Sequence, residues 1–148
     1  MVVKDSSDME AKIRHLEMIQ TVIARMASNL FFLKGWSITL VVGLFALAAS
    51  KGANPLFSIV AFLPVFVFWI LDGYFLSMER SFRGLYDDVR KRDPKDIDFA
   101  MNPAPYKAAD PRNGWIASLC SQTLLWFYTP IVVAMLLLMW KLLTVTAQ

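Results

Sequence analysis

The sequence predicts an all-α integral membrane protein with three transmembrane helices, of which the first two form a long antiparallel hairpin that extends into the cytoplasm. The first observation behind this prediction is composition: the 148 residues are 57% hydrophobic, with a mean hydropathy of +0.48. A soluble domain is only about 45–50% apolar. The second observation is that charged residues are missing from three long stretches and crowded between them. The third is a helical spacing of apolar residues that continues past the first two stretches.

Length and composition bound the function as well as the fold. The chain is long enough for one membrane domain, residues 1–148, and its composition excludes a disordered chain, a disulfide scaffold and an ordinary soluble enzyme. Cys120 is the single cysteine, and His15 is the single histidine, which we expect on the charged surface of a helix. The sequence contains no glycine-rich phosphate loop and no G-x-S-x-G motif. We therefore expect no enzymatic activity, no catalytic residue, no metal ion and no cofactor.

Two uncharged runs define the first two spans. Residues 52–71 are twenty uncharged residues, which cover the roughly 30 Å hydrocarbon core of a bilayer at about 1.5 Å per residue. The run 35–50 has only sixteen, so we extend this span to 30–50, where Lys34 reaches the headgroups with its long side chain. A turn at 51–55 that contains Gly and Pro joins the spans, and so short a connection makes them antiparallel.

The third span lies in the longest uncharged run, residues 113–140. This run exceeds one crossing and begins with mildly apolar residues. We therefore predict a cytoplasmic loop at 93–114, an interfacial segment at 115–122 and a span at 123–143. Pro130 lies inside this span, where a transmembrane helix tolerates it at a kink.

The distribution of basic residues predicts the orientation in the membrane. Four Lys or Arg residues precede the first span, with Lys34 at its boundary, and eight lie between the second and third spans. The turn contains only Lys51, and the C-terminal end contains only Lys141. Because positive residues accumulate on the cytoplasmic side, we predict a cytoplasmic N-terminus and an external C-terminus.

Both helices of the predicted hairpin continue beyond the bilayer, over residues 7–50 and 55–92. Ser7 and Glu10 have the spacing of a capping box, which places the start of the first helix at Ser7. Apolar residues then recur at spacings of three and four, the pattern of helices that pack along a seam. The predicted seam residues are Leu16, Ile19, Ile23, Met26, Leu30 and Leu33 on the first helix, and Leu71, Phe75, Met78, Phe82, Leu85 and Val89 on the second.

Residues at equal distance from the turn lie at equal depth in such a hairpin. The charge pairs predicted in this way are Lys34 with Asp72 at the inner membrane boundary and, in the cytoplasm, Arg25 with Glu79 and Arg14 with Asp87. A carboxylate inside a bilayer costs about 2.5–3.5 kcal/mol on insertion scales, which a lysine partner partly offsets. Three alternatives stay open: two separate amphipathic helices with solvated charges, an Asp72 that reaches water, and an Asp72 that lines an ion path.

A basic and aromatic surface follows the second span. We expect it to contact a cytoplasmic partner or anionic lipid, and we expect no nucleic acid. Its residues are Arg80, Arg83, Tyr86, Arg90, Lys91 and Arg92. Arg83 lies four residues after Glu79, so these two side chains can also pair along one helix face. An apolar patch at 97–102 is expected to dock on the hairpin, with no role assigned to it.

A pattern on the second helix has a family resemblance. From Trp69 to Tyr86 the sequence reads W-x-x-D-x-Y-x-x-x-x-E-R-x-F-R-x-L-Y. Together with the N-terminal helix and the tight hairpin, residues 10–92 resemble the SLATT-type small membrane proteins of bacterial conflict and antiviral systems. The resemblance implies a membrane effector whose helices oligomerise and permeabilise the membrane when a partner signals infection. The third span departs from the simplest two-span plan, and we expect the signal to come from a separate cytoplasmic sensor protein or signalling ligand.

The sequence therefore predicts a homo-oligomeric membrane protein that perturbs the bilayer or forms a pore, because three spans cannot enclose a water path alone. The alternative is a non-conducting scaffold or anchor that docks a cytoplasmic partner through residues 75–112. A transporter subunit is a third class, but the sequence lacks the repeated halves and broken helices that are typical of transporters.

Overall fold

The computed structural model describes residues 2–48, 50 and 59–146. Within that part of the chain the backbone forms helices and irregular connections, with no β-strand. The elements are α1 (Val2–Ala48), α2 (Phe62–Lys91), α3 (Ala104–Ala109), α4 (Trp115–Leu119) and α5 (Gln122–Thr146), with 3₁₀ turns at Pro94–Asp96 and Pro111–Asn113. Of these, α1, α2 and α5 are long and apolar enough to cross a membrane. The predicted all-α class with three helices of spanning length is confirmed.

Helix α1 joins the charged N-terminal segment to the first apolar run without a break. It begins at Val2 rather than at the predicted Ser7, because residues 2–6 contain neither Gly nor Pro to stop it. Ser7 therefore lies inside the helix and does not cap it. The predicted turn at 51–55 lies outside the described residues.

Helices α1 and α2 pack against each other in opposite directions. Lys34 Nζ lies 2.7 Å from Asp72 Oδ2, and Gln20 Nε2 donates to the Tyr86 hydroxyl at 3.2 Å. Moving back along α1 from Lys34 to Gln20 therefore corresponds to moving forward along α2 from Asp72 to Tyr86. Both pairs share the same sequence midpoint, position 53.

A lysine of α1 covers the C-terminal end of α2. Lys12 Nζ donates to the carbonyl oxygens of Arg90 at 3.0 Å and Arg92 at 2.6 Å. The last carbonyls of a helix have no partner within the helix, and a cation there also opposes the negative end of the helix dipole. Lys12 thus supplies hydrogen bonds that α2 cannot make for itself.

The buried apolar side chains of α1, α2, α5 and the segment after α2 form two clusters. One contains Val41, Ala61, Val65, Leu124, Tyr128 and Met135, and the other contains Ile19, Phe82, Leu85, Val89 and Ile97. All six predicted seam residues of α1 are buried or half-buried. On α2 the predicted Leu71 is instead 38% exposed, whereas the neighbouring Asp72 is buried. The ion pair with Lys34 turns Asp72, rather than Leu71, toward α1.

The segment between α2 and α4 folds back on the charged half of this helix pair. Ile97 is buried in the same cluster as Ile19 and Val89. The Tyr106 hydroxyl donates to Asp88, and a methyl group added at Gly84 would lie 3.0 Å from Tyr106 Cβ. The patch at 97–102 therefore docks on the helix pair as expected, although within that patch only Ile97 is buried.

This segment also covers His15. The imidazole is fully buried, with its ring 5.5 Å from the Phe99 ring in an edge-on contact, and neither ring nitrogen has a hydrogen-bond partner among the described residues. The expectation of a surface histidine is wrong, because helix periodicity alone cannot show that a distant segment returns to cover one face of α1.

We expect Tyr106→Phe to weaken the docking of this segment by about 1–2 kcal/mol, because the hydrogen bond to Asp88 is lost while the ring stays on Gly84. Hydrogen exchange should become faster in residues 94–109. Burial raises the pKa of Tyr106 above its ordinary 10.0. The stabilisation is therefore present below pH 10.0 and lost as the pH rises through the raised pKa.

The control is Tyr74→Phe, since Tyr74 is 46% exposed and its hydroxyl has no hydrogen bond to a described residue. If amide hydrogen exchange in residues 94–109 is equally slow in the Tyr106→Phe variant and the native chain, the hydroxyl does not hold the segment. The same conclusion follows if the variant still loses this protection at alkaline pH.

Candidate functional site

Three side chains from the three long helices meet inside the apolar part of the bundle, and we call Lys34, Asp72 and Tyr128 the polar cluster. Asp72 Oδ2 accepts hydrogen bonds from Lys34 Nζ at 2.7 Å and from the Tyr128 hydroxyl at 2.8 Å. Asp72 and Tyr128 are fully buried, and the Lys34 side chain is 23% exposed. The structure thus brings together the two residues that sequence counting places at one depth, and adds Tyr128.

Aromatic rings enclose the polar cluster. The Trp69 ring stacks on Tyr128 with 5.6 Å between centroids and an angle of 11° between planes, while its Nε1 donates to the Leu119 carbonyl at 3.0 Å. Lys34 Nζ lies 5.5 Å from the centroid of the Phe127 ring, within range of a cation–π attraction. These rings exclude water from the ion pair, which strengthens the attraction and raises the cost of breaking it.

The polar cluster can neutralise charge and hold the three long helices together. A lysine and an aspartate cancel each other's charge where an isolated charge is expensive, and the tyrosine ties α5 to the other two helices. Asp72 Oδ1 is buried and has no hydrogen-bond partner, so half of the carboxylate is left for a further donor. Among the described residues, no group of three or more His, Cys, Asp or Glu side chains is placed to hold a metal ion.

The two predicted charge pairs nearer the N-terminus are not formed. Arg14 pairs with Glu10 at 2.6 Å, and Glu79 pairs with Arg83 at 2.7 Å, each within one helix. Arg25 is exposed and lies on another side of α1. Equal depth along a helix pair fixes the level of a side chain but not its direction, and partners four residues apart are always within reach.

Asp87 likewise pairs within α2. Its carboxylate lies 3.4 Å from Arg90, and that of Asp88 lies 2.6 Å from Arg92. Within the predicted basic surface, Arg90, Lys91 and Arg92 are exposed, whereas Tyr86 is half-buried beside Gln20. The predicted surface is therefore divided between an exposed basic end and the two arginines nearer to the apolar part, Arg80 and Arg83.

Arg80 and Arg83 face the segment that leads into α5. Arg80 Nη1 donates to the carbonyl of Arg112 at 2.8 Å, and Arg112 forms a two-nitrogen pair with Asp110, with distances of 2.9 and 3.2 Å. This pairing holds the pKa of the Asp110 carboxyl below its ordinary value and raises that of Arg112. Sequence reasoning placed Arg112 in a loop only, since its approach to α2 depends on tertiary contacts.

Tyr128 is the other residue that sequence reasoning missed. A tyrosine near the start of a span is a common interfacial residue, and nothing in its neighbourhood marks it as a partner of Asp72. A signal was present in composition, because a buried carboxylate requires donors and Tyr128 is the one tyrosine of α5.

Comparison with known proteins adds no assignment to this geometry. The resemblance of residues 10–92 to the SLATT-type proteins stays a prediction, since no protein-family model, curated protein or solved structure matches this chain.

Proposed function

We propose that this chain is a small protein of the bacterial inner membrane that assembles with copies of itself and permeabilises the bilayer as an effector of a conflict or antiviral system. In this proposal the N-terminus is cytoplasmic and the C-terminus is outside. Helices α1 and α2 form the two arms of one hairpin, half in lipid and half in the cytoplasm. A separate sensor protein or signalling ligand acts on the cytoplasmic half.

The observation that carries self-assembly is an open face of small residues on α1. Gly35, Thr39 and Gly43 are exposed, and a methyl group added at either glycine would meet no atom within 4 Å. By helical spacing this face points away from Ser37 and Val41, which are buried. Small residues four apart let a second helix approach closely in a membrane. A second copy of the chain fits this face.

The small share of each span that is buried supports the same proposal. In the most apolar 18-residue stretch of each helix, 17% of the residues are buried in α1 and in α5, and 22% are buried in α2. Three helices packed in this way leave most of their apolar surface to lipid or to other copies. Since three helices enclose no water path alone, permeation requires several copies.

We expect Gly43→Leu to reduce both the oligomeric fraction and the release of a dye from loaded liposomes by at least about fivefold, because the larger side chain keeps helices apart. Native mass spectrometry measures assembly, and fluorescence measures release. The matched control is Ala134→Leu on α5, also an exposed small residue, which should leave both unchanged.

A non-conducting scaffold is the second candidate, and one observation favours it. Between residues 124 and 140 every exposed residue of α5 except Thr129 is apolar or aromatic. The large ones include Trp126, Val133, Leu136, Leu137, Leu138 and Trp140. This part of α5 therefore lacks the row of polar side chains that would line a water-filled pore. A chain that assembles fully and releases no dye, with its activating partner present, would favour the scaffold and remove the effector proposal.

A further inference from the structure

A cleft opens between α2 and the segment that leads into α5. Its volume is about 550 Å³, and its lining includes Arg80, Arg83, Arg112, Asp87, Asp110 and Ser121. We call it the arginine cleft. It is separate from the polar cluster, and neither the ion pair nor the open face of α1 contributes to it.

The charges that line the arginine cleft do not cancel. Arg112 is matched by Asp110, and Arg83 is matched by Glu79 at 2.7 Å. The carboxylate of Asp87 lies 3.4 Å from Arg90, which is outside the lining. Arg80 has no carboxylate partner among the described residues. Only one of its guanidinium nitrogens is used, in the bond to the Arg112 carbonyl.

A buried hydroxyl without a partner lies in the same lining. Ser121 is 8% exposed, and its Oγ has no hydrogen bond to a described residue. The Oγ atom is itself enclosed, so the side chain must turn for this hydroxyl to donate into the cleft. Its carbonyl accepts from the Leu125 amide at 3.0 Å, so Ser121 occupies the N-cap position of α5. A serine in that position ordinarily uses its hydroxyl to bond the first turn of the helix. Here that hydroxyl is left for another partner.

The start of α5 adds to the positive potential of the cleft. Gln122, the first residue of this 25-residue helix, is in the lining. The first amides of a helix lack partners within it, and the dipole places partial positive charge at that end. An anion in the cleft would therefore meet an unmatched guanidinium, a free hydroxyl and a helix N-terminus.

Three hydrogen bonds donated by side chains of α2 show where the cleft lies along the helix bundle. Trp69 donates to the Leu119 carbonyl, Ser77 to that of Asn113 and Arg80 to that of Arg112. The segment 112–119 therefore runs antiparallel to α2, from the level of Arg80 toward the polar cluster. Arg80 lies eight residues past Asp72, which is about 12 Å along a helix.

Apolar side chains are exposed down to the level just above the cleft. Phe31 is 77% exposed, Phe32 60%, and Ile116 75%. Past that level exposed charged residues begin, starting with Arg25 on α1, alongside exposed apolar residues such as Met18. The headgroup layer of a bilayer is about 5–8 Å deep on each side. The cleft is therefore level with the phosphates of the inner leaflet, a placement that rests on the membrane orientation in the proposed function.

We propose that the arginine cleft binds a phosphate group, to which Arg80 and Ser121 donate hydrogen bonds beside the N-terminal end of α5. Guanidinium groups form strong charge-assisted bonds with phosphate oxygens. The phosphate belongs either to the headgroup of an anionic lipid or to a soluble phosphate compound in the cytoplasm. The level of the cleft favours the lipid.

The test compares lipid retention and phosphate binding in matched variants of the full chain. Purified protein in detergent is given phosphatidylglycerol or zwitterionic phosphatidylcholine, and retained lipid is counted by native mass spectrometry. Thermal unfolding with and without inorganic phosphate tests a soluble source. The variants are Arg80→Gln and Ser121→Ala. The control is Arg25→Gln, which removes one exposed positive charge of α1 outside the cleft.

We expect Arg80→Gln to lower retention of phosphatidylglycerol about tenfold and Ser121→Ala about threefold, with less than about a twofold change for Arg25→Gln. Retention of phosphatidylglycerol that inorganic phosphate does not displace assigns the lipid. If inorganic phosphate stabilises the native chain against thermal unfolding, and Arg80→Gln abolishes this effect, the bound phosphate belongs to a soluble compound. Both results support the cleft as a phosphate site.

Equal losses in Arg80→Gln and Arg25→Gln would overturn the proposal, because binding would then follow net charge alone. Binding of neither probe, by a native chain whose circular dichroism is helical, would overturn it as well. Gly43→Leu separates this inference from the proposed function. If this variant loses assembly but still retains phosphatidylglycerol, the phosphate site does not depend on assembly. A native chain that retains the lipid without assembling would remove only the assembly proposal.

Discussion

Asp72→Asn is expected to destabilise the helix bundle by about 3–5 kcal/mol, because it leaves the Lys34 ammonium without a counter-charge in an apolar environment. Lys34 Nζ lies 2.7 Å from Asp72 Oδ2, and the Asp72 side chain is fully buried. The asparagine keeps the volume and an acceptor for Tyr128, so the loss reports the charge. Thermal unfolding in detergent, followed by tryptophan fluorescence, measures it.

The double variant Asp72→Asn with Lys34→Met is expected to recover part of this stability. Removing both charges of a buried pair is often nearly neutral, whereas removing one is not. Tyr128→Phe, which removes only a hydrogen bond at 2.8 Å, should cost about 1.5–3 kcal/mol. Equal losses in the single and double variants would remove the ion pair from the account, and Lys141→Met, at an exposed lysine, serves as the control.

The depth of this ion pair could be predicted from the sequence, but its full set of partners could not. Counting outward from a short turn places Lys34 level with Asp72, because both helices rise by the same distance per residue. The same count says nothing about how the third span is rotated or where it lies. Tyr128 reaches Asp72 only because α5 packs against α2, a relation between distant parts of the chain.

The direction in which each side chain points around its helix axis explains why two predicted charge pairs are not formed. Arg25 lies near the level of Glu79 and Arg14 near that of Asp87, yet each acidic residue is paired within α2. Exposed pairs at equal depth gain little in water, so nothing draws α1 to turn its arginines toward α2. The buried pair is different, since a charge in an apolar environment needs its partner.

The covering of His15 and the arginine cleft have a common cause. Both depend on the path of residues 93–121, for which the sequence predicts a loop at 93–114, from its prolines and polar residues, followed by an interfacial segment. Such a pattern predicts the absence of a long helix and leaves the contacts of the segment open. Ile97, Tyr106 and Arg112 each meet the helix pair, and these contacts bring the segment over His15 and alongside Arg80.

Gly73→Ala is expected to destabilise the chain by about 1–3 kcal/mol, because the added methyl group has no room. A Cβ at this position would lie 2.7 Å from Leu119 Cγ and 3.3 Å from the backbone Cα of Leu119. The side chain can turn away, but the backbone cannot, and Trp69 holds the same residue through its carbonyl at 3.0 Å. Helix α4 would have to move away from α2. Thermal unfolding in detergent measures the loss.

Gly35→Ala is the matched control for this steric argument. Both glycines lie inside long helices, but a Cβ at Gly35 meets nothing within 4 Å. Alanine is the better helix former by about 0.5–1 kcal/mol, so Gly35→Ala should be neutral or stabilising. Combining Gly73→Ala with Leu119→Ala removes the side-chain part of the clash, so the double variant should be more stable than the sum of the single losses predicts. Additive losses would mean that Gly73 and Leu119 do not constrain each other, and that α2 and α4 are held together by Trp69 and Ser77 instead.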